Sequence, residues 1–294
     1  MKALCFGSLN IDYTYRVDHF VARGETLLSQ GLQVFSGGKG LNQSIALSRA
    51  GASVCHAGSI GTDGLFLLEE LWQAGVNTDH VTVSREVRTG HAIIQNSPDG
   101  DNCILLYGGA NQTITREQID EVLSHFAAGD VLVLQNEINE LGYLMQQAHD
   151  RGLRIALNPS PMNDTVLDLP LDTVDWLLVN EVEAAQILGC SVTNGVAAAR
   201  ALREKLPRAA IVLTLGGEGA VYADGDGVFA QSAVPVRAVD TTAAGDTFTG
   251  YFLSAMLEGK TPQQAMALAA KAAAISVTRP GAAPSIPKRE EVEV

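Results

Sequence analysis

The stretch VDTTAAGDTF at residues 239–248 leads into a predicted helix that begins at Asp246 and is stopped by Gly259. Its small residues allow a bound group to approach the backbone, and the free N–H groups of a first helical turn, aided by the helix dipole, form an anion site. Asp246 lies inside that turn, where its carboxylate can accept a proton from a hydroxyl that attacks a phosphorus atom. An acid is also favourable at any helix N-terminus, so this stretch alone leaves a purely structural role open.

A second glycine-rich stretch, SGGKGLNQ at residues 36–43, opens another predicted helix. Glycines allow the chain to turn tightly beside a ligand, and Lys39 and Asn42 project from neighbouring positions of the helix. Neither the GxxxxGK[ST] order of a P-loop nor the GxGxxG of dinucleotide-binding folds is present. A glycine-rich hinge with a solvated lysine remains the alternative interpretation of this stretch.

Further polar residues follow the ends of predicted strands. Asn10 and Asp12 follow the first strand, Glu137 follows a central strand, and Asn180 and Glu183 follow a later one. The carboxyl ends of parallel strands are where open α/β sheets bind ligands. Each residue also has a local explanation, because the first two favour turns and the last two fit a helix capping box.

The remainder of the chain predicts an α/β fold. Apolar runs alternate with amphipathic segments from about Ile45 onward, a pattern typical of repeated β-α units and a mostly parallel sheet. We predict short buried strands at residues 3–6, 54–57, 131–135, 154–157, 176–179 and 210–214. We predict helices at residues 41–50, 65–74, 140–151, 181–188, 196–205 and 246–258, and a last one that has Thr261 as N-cap and runs to about Thr278.

Two stretches, residues 13–35 and 90–107, interrupt this alternation with partly alternating strand-like patterns. The second contains the turn NSPDG at residues 96–100. Together they predict one small antiparallel sheet, inserted into a core formed by residues 1–12, 36–89 and 108–294. A sheet of that size with one apolar face needs to cover a ligand cleft or a partner subunit.

The composition excludes several classes of function. The chain of 294 residues has 20 Lys and Arg against 33 Asp and Glu, a formal charge of −13, which argues against a nucleic-acid partner. No apolar run reaches the ~18 residues of a membrane span, and the start of the chain lacks a secretory pattern, so we expect a cytoplasmic protein without membrane contact. Four cysteines without CxxC spacing and six histidines without ligand spacing predict free thiols and no His-ligated metal.

Taken together, these motifs resemble the ribokinase-like sugar kinases, also called the phosphofructokinase-B-type family. The resemblance covers nearly the whole chain in one order, through GSLNID (7–12), GGKGLNQ (37–43), NPSP (158–161), NEVEA (180–184), TLGGEG (214–219), DTTAAGDTF (240–248) and TRPGAAPS (278–285). It implies a three-layer α/β/α core with a mostly parallel central sheet. It also implies that the inserted sheet is a lid that closes over the sugar, and that the protein is a homodimer paired through its lids.

The resemblance further implies ATP-dependent phosphorylation of a sugar's primary hydroxyl, with the 5-hydroxyl of D-ribose favoured. Asp246 would be the catalytic base, and the anion hole would be formed by the backbone N–H groups of Ala243, Ala244, Gly245 and Asp246. The sugar would be held by Asn10, Asp12, Gly38, Lys39, Asn42, Glu137 and Asp246. ATP and Mg²⁺ would be bound by Asn180, Glu183, Thr214, Gly216, Gly217, Gly219 and Gly245.

A monovalent cation, K⁺, is implied as well. It would lie beside the anion hole and be ligated mostly by backbone carbonyl groups, which leave little side-chain signature. The matching positions in this sequence are Asp240, Thr242, Ser276, Arg279, Gly281 and Ser285. Such an ion would orient the anion hole rather than touch the sugar.

Three positions depart from the family pattern. Leu41 stands where Ala is common, Asn136 precedes Glu137 where an apolar residue is usual, and Ala270 lies where a polar residue can contact adenine. A kinase of the same family for another sugar, such as deoxyribose or a ketohexose, or for a nucleoside, is therefore the alternative. A non-catalytic sugar-binding module would share the fold, but the retained Asp246 and anion hole disfavour it. The missing GxGxxG disfavours a nicotinamide dehydrogenase.

Overall fold

The computed structural model describes residues 1–293. Numbered in chain order, its strands are β1 (Ala3–Phe6), β2 (Asn10–Arg16), β3 (Gly31–Gly37), β4 (Val54–Gly61), β5 (Asn77–Ser84), β6 (Gly90–Asn96), β7 (Asn102–Tyr107), β8 (Val131–Gln135), β9 (Arg154–Asn158), β10 (Trp176–Asn180), β11 (Ala210–Thr214), β12 (Ala220–Ala223) and β13 (Val228–Gln231). The helices are α1 (Lys39–Arg49), α2 (Leu65–Gln73), α3 (Arg116–Leu123), α4 (Leu141–Asp150), α5 (Glu181–Leu188), α6 (Gly195–Lys205), α7 (Ala244–Leu257), α8 (Pro262–Ser276) and α9 (Arg289–Val292). Short 3₁₀ turns join several of them.

Nine strands form the central sheet in the order β13-β12-β11-β10-β9-β8-β1-β4-β5. All neighbours are parallel except at one edge, where β12 and β13 run antiparallel. Successive side chains of a strand point to opposite faces, so Ala3 and Cys5 of β1 join one hydrophobic core while Leu4 and Phe6 join the other. Helices α1, α2, α7 and α8 contribute to the first core and α3 to α6 to the second. The predicted three-layer α/β/α arrangement is therefore confirmed.

The buried strands were predicted more accurately than the edges of the sheet. Strands β1, β8 and β11 and helix α5 have the predicted bounds, whereas β4 runs four residues further, to Gly61. Strands β5, β12 and β13 and helix α3 were not predicted. The sequence of β5 is polar and partly exposed, and β13 is short with no buried residue, so neither carries the apolar signal of a central strand. Strand β12 is as short and as buried as β1, so its apolar signal was overlooked.

A separate sheet has the order β3-β2-β6-β7. We call these four strands the lid. Strands β2 and β3 are antiparallel, as are β6 and β7, but β2 and β6 are parallel. The prediction of a wholly antiparallel sheet is thus wrong for the central pair. The lid consists of two hairpins, β2–β3 and β6–β7. The first strand of each hairpin leaves the core in the same direction, and these two strands, β2 and β6, lie side by side.

The register of the lid decides which side chains share a face. Asp12 lies opposite Phe35 and Ala92, and Ala92 lies opposite Leu106. Directly opposite residues point to the same side of a sheet, so one face of the lid combines a carboxylate with apolar side chains. Phe35 and Leu106 are 40% and 47% exposed, which leaves apolar surface available to cover a ligand.

No helix within residues 1–293 is both long and apolar enough to cross a bilayer. The four cysteines are free. Cys5 is buried in the core, whereas Cys103 and Cys190 are exposed at distant positions. The thiols therefore contribute no cross-link to the fold.

Candidate active site

Helix α1 begins pressed against the loop that follows β1. Its N-cap, Gly38, has φ 95°, a left-handed conformation that favours glycine. A Cβ atom on Gly40 would lie 2.5 Å from the backbone nitrogen of Ser8, closer than real contacts allow. The N–H group of Leu41 donates to the carbonyl of Ser8 at 3.0 Å. The glycines of residues 37–40 thus allow the helix to approach the first strand end closely.

Asp246 lies in the first turn of α7 with only 7% exposure. The Nδ2 atom of Asn42 donates to its Oδ2 at 3.1 Å, and the Nε2 atom of Gln43 donates to its Oδ1 at 2.9 Å. Two amides from α1 therefore fix the carboxylate, although they lie more than 200 residues away in sequence. The Oδ1 atom of Asn42 is buried and has no hydrogen-bond partner within residues 1–293. It is an acceptor available to a ligand hydroxyl.

The N-terminus of α7 presents free backbone donors. Ala243, its N-cap, has φ 59°, a left-handed conformation that costs a non-glycine residue about 1–2 kcal/mol. The N–H of Ala244 reaches the carbonyl of Thr241 at 3.2 Å, but the N–H groups of Ala243, Gly245 and Asp246 have no acceptor in the described part of the chain. Free N–H groups at the positive end of a helix form a site for an anion such as phosphate.

A cavity of about 230 Å³ lies in front of this helix. Lys39, Asn180, Glu183 and Asp246 line it. Burial by itself lowers the pKa of Lys39, but the carboxylates of Asp246, Glu137 and Glu183 outweigh that effect, and the pKa is raised. The ammonium group therefore keeps its charge next to the free N–H groups. This is the positive potential that transfer of a phosphoryl group requires.

Glu137 joins the loop after β1 to helix α1. Its Oε2 atom accepts hydrogen bonds from the Ser8 hydroxyl and, at 2.9 Å, from the backbone N–H of Lys39. Burial raises the pKa of Glu137. Burial and the charge of Glu137 raise the pKa of Asp12 to about 6. Two crowded carboxylates in a small space offer several acceptor oxygens, which suit the vicinal hydroxyls of a sugar.

A second cavity, of about 220 Å³, lies between lid strand β7 and the core, and its lining includes Asn10, Leu106, Asn111 and Glu137. The Nδ2 atom of Asn111 donates to Asn10 Oδ1 at 2.7 Å and to the carbonyl of Leu9 at 3.2 Å. This residue fixes the orientation of Asn10. Sequence reasoning missed Asn111, and its only signal is the pair of glycines before it, which ends the lid.

One of the three residues that depart from the family pattern lies at the second cavity. Asn136 also lines it, but its Nδ2 atom donates to the carbonyl of Pro161 at 2.7 Å, so its amide is engaged by backbone. Leu41 is fully buried in the core. It therefore acts on the cavity only through the position of α1.

Asn180 and Glu183 form a reciprocal capping box at the start of α5. Asn180 Oδ1 accepts the N–H of Glu183 at 2.9 Å, and Glu183 Oε2 accepts the N–H of Asn180 at 3.0 Å. The structural role expected of these residues is therefore present, and both also line the cavity in front of α7. Within residues 1–293 no three His, Cys, Asp or Glu side chains are placed to hold a metal. The site therefore suits a Mg²⁺ ion that takes most of its ligands from phosphates and water and few from the protein.

The third cavity, of about 430 Å³, is continuous with the first, because Thr214, Thr241 and Gly245 line both. Gly216, Gly217 and Gly219, at the end of β11, form part of its wall. A Cβ atom on Gly219 would lie 2.1 Å from the carbonyl oxygen of Gln231, so only glycine is accommodated there. The cavity suits a flat apolar group attached to phosphates bound at α7.

Asp240 joins the two loops that contain the proposed potassium positions. Its Oδ1 atom accepts the N–H and the hydroxyl of Thr242 at 2.9 and 2.6 Å, and its Oδ2 accepts the N–H of Gly281 at 2.8 Å. Burial opposes these hydrogen bonds, but together they lower the pKa of Asp240. The hydroxyls of Ser276 and Ser285 each donate to a carbonyl three residues earlier. Their lone pairs and the loop carbonyls fit a large, weakly hydrated cation.

Arg279 is the predicted potassium position whose side chain is used elsewhere. Its Nη2 atom lies 2.5 Å from Oε1 of Glu291, in an ion pair with α9. A guanidinium has no acceptor atom, so Arg279 can offer a cation only its backbone carbonyl.

The predicted nucleotide residues all line the first or third cavity. Of the sugar set, Lys39 and Asp246 line the first cavity and Asn10 and Glu137 the second. Three others line no cavity: Asn42 donates to Asp246, Gly38 is the N-cap of α1, and Asp12 lies on β2.

Several known proteins resemble this chain over nearly its whole length. A model of the pfkB family of carbohydrate kinases matches residues 1–289. The ribokinase of Haemophilus influenzae is 36% identical over 97% of this chain and 95% of its own. The ribokinase of Cryptococcus neoformans var. grubii serotype A in complex with ADP has a TM-score of 0.89 at 34% identity, covering 99% of this chain and 98% of that one. The Arabidopsis thaliana ribokinase complexed with ribose and ATP has a TM-score of 0.88 at 29% identity, covering 99% and 97%.

Proposed function

The chain belongs to the pfkB family of carbohydrate kinases, and on that premise we propose that it transfers the γ-phosphoryl group of ATP to the 5-hydroxyl of D-ribose, giving ribose 5-phosphate and ADP. One observation carries this proposal above all. The Asp246 carboxylate lies at the free N–H groups of α7, held by Asn42 and Gln43, in the cavity that also contains Lys39. The full-length similarity to ribokinases, one complexed with ribose and ATP, supports ribose as the sugar.

The sugar would bind between lid and core. Asn10, oriented by Asn111, and the carboxylates of Asp12 and Glu137 offer donors and acceptors for the secondary hydroxyls. The apolar side chains on the face of the lid that carries Asp12 would then cover the sugar. Closure of this kind excludes water and limits hydrolysis of ATP.

In the transfer step, Asp246 would accept the proton of the 5-hydroxyl as that oxygen forms a bond to the γ-phosphorus. The bond between the γ-phosphorus and the bridging oxygen breaks, and ADP leaves with the electron pair. The transition state is loose, so positioning and charge compensation dominate over covalent chemistry. The free N–H groups of Gly245 and Asp246 and the charged Lys39 would compensate the negative charge of the transferring group.

Two cations belong to the proposal. Asn180 and Glu183 would hold Mg²⁺ through its waters, and the ion would supply positive charge that offsets the phosphates. K⁺ would occupy the loops joined by Asp240, next to Ala243. Because Ala243 is strained and starts the anion hole, a cation that fixes residues 240–242 would hold it in place.

We further propose a homodimer that pairs through the lid. On the face opposite Asp12, Val34 and Leu105 lie in register with Tyr13 and Ile93, and they are 49% and 68% exposed. Such apolar surface on a small sheet favours a partner. Light scattering at micromolar concentration tests this, since a persistent monomer would contradict it.

A coupled assay of ADP formation tests the proposed substrate. D-Ribose, 2-deoxyribose, fructose and a nucleoside are compared at equal concentration with ATP, Mg²⁺ and K⁺. We expect the highest kcat/KM with ribose, and mass spectrometry of the product to show one added phosphoryl group. A clear preference for another substrate would assign the chain to a different kinase of the same family. No turnover with any substrate, together with normal sugar binding, would favour the non-catalytic sugar-binding module.

A further inference from the structure

The third cavity has an unusual lining for a site that would bind a nucleotide base. Apart from Thr214 and Thr241, every side chain that lines it is apolar or absent, as at Ala233, Pro235 and Ala270. Both threonines also line the cavity in front of α7, so they lie at the phosphate end. Within residues 1–293, the base end of the cavity thus contains no side chain that can form a hydrogen bond with a base.

The backbone at the base end is adaptable. Residues 233–238 belong to no helix or strand, and their N–H and C=O groups form no hydrogen bond with other described residues. Val234 and Val236 in this segment are 38% and 46% exposed, so water reaches the rim of the cavity. Peptide groups and water can both donate and accept. Either can therefore satisfy the amino edge of adenine or the carbonyl edge of guanine and hypoxanthine.

We infer that this kinase accepts purine nucleoside triphosphates broadly as phosphoryl donors, with GTP and ITP used alongside ATP. The inference rests on the proposed function. A pocket whose polar groups hydrogen-bond the right ligand rejects a wrong one by about 10⁴–10⁵ in kcat/KM, because those buried groups are left unpaired. An apolar pocket distinguishes two similar ligands by about 10² or less. The transfer is otherwise unchanged: the sugar oxygen bonds to the γ-phosphorus, its proton passes to Asp246, and the nucleoside diphosphate leaves.

The test measures binding and turnover separately. Calorimetric titration of the whole protein with ADP, GDP and IDP in the presence of Mg²⁺ is expected to give dissociation constants within about 100-fold of one another. With ribose as the sugar, the order of kcat/KM for ATP, GTP and ITP is expected to match the order of affinity for ADP, GDP and IDP. A preference for ADP of more than about 100-fold, or failure of all three diphosphates to bind, would overturn the inference. Normal binding without phosphoryl transfer would contradict only the proposed function.

A pair of variants on α8 tests whether the base contacts this lining. Ala270 is 7% exposed and lines the cavity, whereas its neighbour Lys271 is exposed to solvent. Ala270→Asn adds a fixed polar group, which we expect to change the ratio of ADP to GDP affinity by about tenfold. Lys271→Asn adds the same side chain outside the cavity and leaves the ratio unchanged. An unaltered ratio in folded Ala270→Asn protein would show that the base lies elsewhere.

Discussion

Gln43 and Asp246 are joined by a hydrogen bond of 2.9 Å from Nε2 to Oδ1, and a chain of amides fixes its direction. The carbonyl of Leu178 can only accept, so it binds the Nδ2 atom of Asn158, at 3.0 Å. The Oδ1 atom of Asn158 then accepts from Gln43 Nε2 at 3.0 Å, while Gln135 donates to Gln43 Oε1 at 2.6 Å. The amide of Gln43 therefore presents its N–H group, and not its oxygen, to Asp246.

This hydrogen bond predicts that Gln43 positions Asp246, the proposed base. Gln43→Met keeps the side-chain length but removes the donor, and loss of a hydrogen bond to a charged group costs about 1.5–3 kcal/mol. We expect kcat to fall by about 10- to 100-fold with little change in the KM for the sugar.

The matched control is Gln146→Met on the exposed side of α4. It should leave both kcat and KM unchanged. A rise in KM at constant kcat in Gln43→Met would instead place Gln43 in sugar binding and contradict the positioning role.

The crowded carboxylates predict a conflict between stability and binding at Asp12. Its pKa is raised from 3.8 to about 6 by burial and by the charge of Glu137. The folded state therefore binds the proton more tightly than the unfolded state, and the ionised carboxylate destabilises the sugar-free protein above about pH 6. Asp12→Asn should increase the free energy of unfolding at pH 7.5 by on the order of 2 kcal/mol, and the gain should vanish below about pH 4.

Urea unfolding at pH 4, 5.5 and 7.5 measures this difference. The same variant should raise the KM for the sugar by about tenfold at pH 7.5, because a charged acceptor is lost. Asp99→Asn, in the exposed turn of the lid, is the control and should change neither quantity. Equal unfolding free energies of Asp12→Asn and wild type at all three pH values would contradict the account of this site.

The close approach of α1 to the first strand predicts an inverted effect of alanine at Gly40. Alanine in a helix normally stabilises it by about 1 kcal/mol relative to glycine. Here the added Cβ would lie 2.5 Å from Ser8 N, so Gly40→Ala should lower the free energy of unfolding by about 1–3 kcal/mol and reduce activity. Gly31→Ala, where no atom lies within 4 Å of the added Cβ, is the control. Thermal unfolding of both variants measures the change in stability. A Gly40→Ala protein more stable than the wild type would contradict the prediction.

The loops joined by Asp240 predict a specific effect of potassium. A cation that binds only the folded state raises Tm by mass action. We expect a higher Tm in potassium chloride than in choline chloride at equal ionic strength, and we expect Asp240→Ala to remove that difference. Thermal scans without substrate measure it independently of turnover. An equal Tm in both salts for the wild type would argue against the site.

Much of the central fold could be predicted, because parallel strands covered on both faces leave continuous apolar runs, as in β1 and β8. The direction of β6 relative to β2 could not be predicted, since alternation shows which residues share a face and not which way a neighbour runs. Net charge also proved uninformative about the site. The positive potential comes from Lys39 and the free N–H groups of α7, not from an excess of basic residues.

The motifs indicated which residues would meet a ligand, but not which residues hold them in place. Asp246, Lys39 and Asn42 stand in recognisable stretches. Gln43 lies in the same glycine-rich stretch, but its role appears only when partners 92 and 203 residues away are brought together. Asn111 likewise contacts Asn10 over 101 residues. Such supporting contacts depend on tertiary packing, and no local pattern encodes them.

We propose Asp246 as the base for phosphoryl transfer, and steady-state kinetics of Asp246→Asn test that role most directly. The substitution keeps the shape of the side chain and removes its ability to accept the proton. We predict a fall in kcat of about 10²–10⁴-fold, with the dissociation constant for ribose changed by no more than a few fold. Turnover near that of the wild type would contradict the account.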